Sequence, residues 1–195
     1  MLPGIIFSTI IYFNLVNSLA LSIFLGVSGL GVCFFEILRL RNKKVNLLTL
    51  KTANLVMRKE EMMEISGTPY YLISCFLVLL FFPKEIAILS ILYLAIGDPV
   101  ASIFGILYGE DAYRLKNGKS IIGTIAGVCF CITITIYGGF LFHWTLPQIY
   151  VISFFGGLAG GLSEAFSLKE INDNLTIPLF SAIILQGLFI QLGMI

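Results

Sequence analysis

Seven apolar stretches, most of them near the length that crosses a bilayer, fill this 195-residue chain and constrain its fold more than any other feature. A spanning helix needs about 20 apolar residues, within a range of about 17–25. The stretches cover residues 4–15, 18–38, 69–82, 86–108, 122–142, 148–166 and 178–194. The first is short, and Asn14 and Asn17 predict a turn before the second. A single helix over 5–38 would be about 51 Å long, far beyond the hydrocarbon core, so two segments are expected. The third stretch stops at Pro83 and is also short, which places its start further upstream, near Ile65. The expected fold is an all-α polytopic membrane helix bundle of about seven transmembrane segments, the first one short, in a single domain over 1–195.

Composition supports this and removes the competing classes. Hydrophobic residues make up 58% of the chain and charged residues 12%. A soluble domain averages about 45–50% and about 25%. With half the usual charge, the chain cannot cover a globule of its size with a wetted surface, and it is too apolar for disorder. A net charge of +1 excludes a strongly basic nucleic-acid binder. Cys33, Cys75, Cys129 and Cys131 lie inside apolar runs without metal-ligand spacing, so they read as small buried hydrophobes. The N-terminus lacks the basic n-region of a secretory leader, and its apolar stretch is too long for one.

Charge placement orients the bundle. If the side after the second segment is cytoplasmic, that side carries every Lys and Arg except Lys84. Arg39, Arg41, Lys43, Lys44, Lys51, Arg58 and Lys59 follow the second segment, Arg114, Lys116 and Lys119 the fourth, and Lys169 the sixth. This is a strong positive-inside pattern. Phe142, His143 and Trp144 mark the opposite interface, where amphipathic rings are comfortable. Residues 45–66 mix leucines and methionines with lysines and glutamates, and read as a helix lying along the cytoplasmic interface. Arg58 and Glu61 are spaced to pair on one face of it, and Glu61 and Glu64 to bring two carboxylates together. Glycine clusters at 26–31 and 156–161 read as close helix packing through small faces.

Ionisable residues inside apolar segments are expensive and point to function. Glu36 has Arg39 one turn later and reads first as an interfacial ion pair. Glu164 closes the sixth segment. Asp98 stands between Gly97 and Pro99, where the helix is expected to break and expose backbone groups that need protein or water. Further on, Gly118-Lys119-Ser120 precedes an apolar helix, and such a start has phosphate-binding logic. It is not a Walker loop, since Tyr113 stands where a glycine is required. Asn172-Asp173-Asn174, with Pro178 opening the next helix, reads as a helix cap, but capping leaves Asp173 and Asn174 only partly explained. Acids for a divalent cation, basic residues for phosphate and a membrane setting together suit phosphoryl or nucleotidyl transfer to a lipid.

At these residues the chain resembles the CTP-dependent lipid kinase family, which includes dolichol and polyprenol kinases, phytol kinase and CTP-dependent diacylglycerol kinase. The matching pieces are Glu36-x-x-Arg39, Arg58-x-x-Glu61 before Gly67, Gly97-Asp98-x-x-Ala101-x-x-x-Gly105-x-x-x-Gly109, Gly118-Lys119-Ser120-x-x-Gly123 and Asp173-Asn174-Leu-Thr-Ile-Pro178. They fall in the family's order over nearly the whole chain. Two features depart from the pattern. Related sequences carry an Arg-Lys-x-x-His element on the first helix. Here the sequence starts at Met1-Leu-Pro-Gly, so either that piece lies upstream of this sequence or one basic phosphate contact is missing. Ile121 stands where a glutamate often follows the Lys-Ser pair.

The resemblance implies transfer of the terminal phosphate of CTP to the hydroxyl of a membrane lipid alcohol, with a polyprenol or dolichol first and diacylglycerol or a phytol-like alcohol next. It implies Mg²⁺ held by Asp98 with Asp173 or Glu61, and catalysis by Asp98, Asp173 and Lys119. Nucleotide contacts would come from Arg58, Gly105, Gly118, Lys119, Ser120, Gly123 and Asn174, on the cytoplasmic side. A phosphatidate cytidylyltransferase would need the same membrane, nucleotide and metal, but its Lys-Arg, Lys-Asp and His-Gly-Gly elements are absent. An ion-coupled transporter using Asp98 and Glu164 is the reading from a different class.

Overall fold

The computed structural model describes residues 2–53, 64–109, 112–115, 118–165 and 172–195, without the side chains of residues 50, 52, 53, 164 and 165. Arg58 and Glu61 lie outside the described residues, as does the Glu164 side chain. The described chain is helical almost throughout. In order it forms α1 (Leu2–Tyr12), α2 (Ser18–Arg41), α3 (Lys43–Ala53), α4 (Gly67–Phe81), α5 (Lys84–Leu92), a π-helical turn (Tyr93–Gly97), α6 (Asp98–Tyr108), α7 (Ile121–Leu141), α8 (Leu146–Ala165) and α9 (Asp173–Gln191).

Among the described residues, five helices are long and apolar enough to cross a membrane: Ser18–Arg41, the continuous Lys84–Tyr108, Ile121–Leu141, Leu146–Ser163 and Asp173–Gln191. Leu2–Tyr12 and Gly67–Phe81 are apolar but shorter. The seven expected segments therefore appear as five full-length helices and two short ones. The split between α1 and α2 falls where the asparagines predict it. Asn14 takes a positive φ of 52°, and Asn17 caps α2 by accepting from the Leu19 and Ala20 amides.

Exposed apolar side chains cover the outside of the bundle. Along α2, Ile23, Phe24, Val27, Leu30 and Phe34 face outward while Leu21, Leu25, Gly26 and Gly29 face in. A surface this apolar is at home against lipid. The centre is α5, where Ile86, Ala87, Ile88, Leu89, Ser90 and Ile91 are all buried, as in a helix surrounded by others. α7 and α8 meet closely through glycine. A Cβ at Gly161 would stand 2.5 Å from the Val128 backbone.

Two prolines depart from expectation. The helix does not break at Gly97–Pro99. Pro99 has no amide hydrogen for the carbonyl four residues back. The chain absorbs this by widening one turn, in which the Asp98 amide reaches Tyr93 O, five residues back. Nor does Pro178 open the last helix. α9 begins at Asp173, and Pro178 lies inside it. Of the interfacial stretch expected over 45–66, α3 covers the part up to Ala53, with Leu47 and Leu48 exposed on it, and residues 54–63 lie outside the described residues.

Candidate active site

Lys119 is presented by a tight turn. Arg114 and Ser120 pair as an antiparallel bridge, Leu115 N donates to Lys119 O at 2.7 Å, and Gly118 closes the turn at φ 87°. Glycine takes that conformation without steric cost. Ser120 then caps α7, its Oγ accepting from Gly123 N at 3.0 Å. The Ser120 side chain is buried in a notch of α6. A Cβ at Gly105 would come within 3.1 Å of Ser120 Oγ, and one at Gly123 within 2.5 Å of Ala101 O. Gly105, Ser120 and Gly123 thus have a packing job that fixes where α7 starts, and Lys119 extends from that corner.

Asp173 is the first residue of α9, where a carboxylate complements the helix dipole. Asn172 caps the helix through the Asn174 amide at 3.0 Å. Pro178 leaves the carbonyl of Asn174, four residues back, without its helical donor. Ser74 Oγ of α4 supplies one at 2.8 Å, and Asn174 Nδ2 donates to Gly67 O at 3.2 Å. These two bonds clamp the start of α9 onto the first half of α4. Asp173 Oδ2 then meets Lys119 Nζ at 2.7 Å. The pair joins residues far apart in sequence, with side chains 26% and 35% exposed. Such an exposed pair adds little stability. Its interest lies in placing a cation and a carboxylate at one accessible point beside two helix starts.

Asp98, partly buried, opens α6 at the end of the π-turn. α6 and α7 run past each other so that Gly105 lies at Ser120, Ala101 at Gly123 and Gly97 at Cys131. Asp98 therefore lies seven residues, about 10 Å of helix rise, deeper in the bundle than the Gly105–Ser120 corner. The turn before it is anchored by Tyr93, whose buried hydroxyl bonds Thr135 Oγ1 and whose ring occupies the space beside Gly160.

Glu36 and Arg39 form the expected pair one turn apart, at 2.7 Å, and both are buried. Arg39 also donates to Glu64 O at 2.8 Å and Asn46 Oδ1 at 3.2 Å, while Glu36 Oε2 accepts from Ser66 N at 3.0 Å. Sequence reasoning passed over Asn46, Ser66, Ser74 and Thr135. A signal did exist for Ser74: a proline four residues after Asn174 announces an orphaned carbonyl that needs a donor.

Among the described residues no three His, Cys, Asp or Glu side chains cluster as a metal site. A magnesium ion shared with a nucleotide needs less, since it takes one or two protein carboxylates and completes its shell with phosphate oxygens and water. Asp98 and Asp173 are each a hard oxygen donor of the kind that requirement calls for.

A multi-pass helical bundle with one charged, accessible end is the class that the fold and site define. The chain is 31% identical to CTP-dependent diacylglycerol kinase 1 of Eremothecium gossypii, over 82% of this chain and 56% of that protein. It is 32% identical to CTP-dependent diacylglycerol kinase 1 of Schizosaccharomyces pombe, over 67% of this chain and 63% of that one. A probable chloroplastic phytol kinase 1 of Glycine max is 28% identical over 58% of this chain and 40% of its own length. These curated relatives are CTP-dependent diacylglycerol kinases and a probable phytol kinase, matched at about 30% identity over most of the chain. It spans a little over half the length of the first curated relatives that it matches. No protein-family profile matches it, and no solved structure does.

Proposed function

We propose that this protein transfers the terminal phosphate of CTP to the hydroxyl of a membrane lipid alcohol. The observation that carries this is the 2.7 Å pairing of Lys119 with Asp173, in a chain 31% identical to a CTP-dependent diacylglycerol kinase. The names of the relatives favour diacylglycerol as the acceptor over the polyprenol that heads the sequence-based order, with a phytol-like alcohol next. The orientation rests on the basic residues: the Lys119 end faces the cytoplasm, where the nucleotide is.

In this reading Lys119 stabilises charge on the moving phosphoryl group. Asp173 holds Lys119 in place and would hold Mg²⁺. That ion would supply charge neutralisation at the phosphates. The lipid hydroxyl oxygen forms a bond to the γ-phosphorus, the bond to the β–γ bridging oxygen breaks, and CDP leaves. The deeper position of Asp98 supports its facing the lipid, where its carboxylate accepts the hydroxyl proton. The acceptor enters sideways between helices, so its tail stays in the bilayer.

The test uses the full chain in bilayers, with CTP or ATP labelled in the γ-phosphate and a panel of lipid alcohols. Label in phosphatidate with CDP released in equal amount supports the proposal. Pyrophosphate release would replace it with cytidylyl transfer. Ion flux across a sealed vesicle without nucleotide consumption would replace it with transport.

A further inference from the structure

The fully buried Arg39 needs a reason. A buried ion pair is usually no more stabilising than apolar side chains of the same volume. An arginine does supply a flat fork of donors that can fix several acceptors at once. Here it joins Glu36 in the same helix, Asn46 in α3 and the carbonyl of Glu64. Glu36 in turn holds the Ser66 amide. Residues 64–66 are outside any helix, and Ser66 makes no side-chain cap for α4, so α2 anchors this backbone. The next residue is Gly67, whose carbonyl accepts from Asn174, the neighbour of Asp173.

We propose that the buried Glu36–Arg39 pair positions the Asp173 carboxylate against Lys119, acting through the backbone of residues 64–67 and the Asn174 amide. This rests on the reading of Lys119 and Asp173 as site residues. It makes Arg39 a positioning residue, linked to the chemistry by a series of hydrogen bonds and short backbone segments that crosses from α2 to α9. A reacting geometry displaced by about 1 Å can cost on the order of a hundredfold in rate, so a small slackening of this series is measurable.

The experiment is a double-mutant cycle in the full chain, with Arg39→Lys and Asn174→Ala, reading kcat, KM for CTP and Tm. Lysine keeps the charge and can still pair with Glu36, but one ammonium cannot reproduce the fork. Each single variant is expected to lose roughly tenfold to a hundredfold in kcat, with KM for CTP within about twofold in Arg39→Lys. The double variant should be no worse than the weaker single, because both cut the same series. Unchanged kcat in Arg39→Lys, or losses that multiply in the double variant, would overturn the proposal. So would losses that track a fall in Tm and active fraction. If Arg39→Lys does not accumulate in membranes, Asn46→Ala takes its place in the cycle under the same criteria. Asp173→Asn separates the two levels. Full turnover in that variant removes the underlying site reading. Its inactivity, together with multiplicative losses in the cycle, overturns the positioning role alone.

Discussion

The two ends of the bundle handle polar groups in opposite ways. At one end Arg39, Lys119 and Asp173 make contacts that reach across the sequence, tying α2 to the segment before α4 and the start of α7 to the start of α9. At the other, Lys84 reaches as far along the chain but meets neutral oxygens of the turn after α1, at 2.9 Å from Tyr12 O and 2.8 Å from Asn14 Oδ1. Aromatic rings fill the rest of that end. Trp144 lies between Phe142 and Phe189, and Tyr12 leans on Phe142. The aromatic end closes turns and suits a membrane interface. The charged end brings together groups of opposite sign that a fold alone would not need in an exposed position.

The two lysines give the sharpest contrast. Lys119→Met should lower lipid phosphorylation about a hundredfold to a thousandfold, the usual loss when a group stabilising transition-state charge is removed. Lys84→Met should leave the rate within about twofold, because its partners belong to a turn. Equal losses in both would erase the distinction between the ends. Stability should follow the same division. Arg39→Ala leaves the Glu36 carboxylate buried and unpaired and should cost about 3–5 kcal/mol, read from thermal unfolding in detergent. Gly161→Ala tests the packing beneath both ends. Its methyl would meet the Val128 backbone, and a cost of about 1–3 kcal/mol is expected. The smallest effect belongs to Ser74→Ala, which removes the donor for the Asn174 carbonyl at a cost of about 1 kcal/mol. That cost should shrink in a Pro178→Ala background, where the restored amide can reach the same carbonyl.

Much of this contrast was legible in the sequence. The bilayer sets helix length, so apolar runs reveal spans, and Asn17 marks a helix start because its side chain can bond the amides that follow. That Lys119 and Asp173 fall at one end follows from the alternation of spans and loops. The particular pairing of Lys119 with Asp173 does not, since it depends on how α7 and α9 are turned. The prolines misled for a related reason. Pro99 ends a helix unless a neighbouring turn can widen, and that depends on Tyr93 finding Thr135. Pro178 looks like a helix opener until Ser74, distant in sequence, satisfies the carbonyl it orphans. Gly118-Lys119-Ser120 reads in sequence as a helix start with phosphate-binding logic. In the fold the serine packs into α6 and only the lysine projects.

The most direct test of the central claim is label transfer from γ-labelled CTP to diacylglycerol, measured side by side in the native protein and Asp173→Asn. The account predicts labelled phosphatidate with equimolar CDP from the native protein and at least a hundredfold less from the variant at comparable thermal stability. Phosphorylation by Asp173→Asn at the native rate would contradict it.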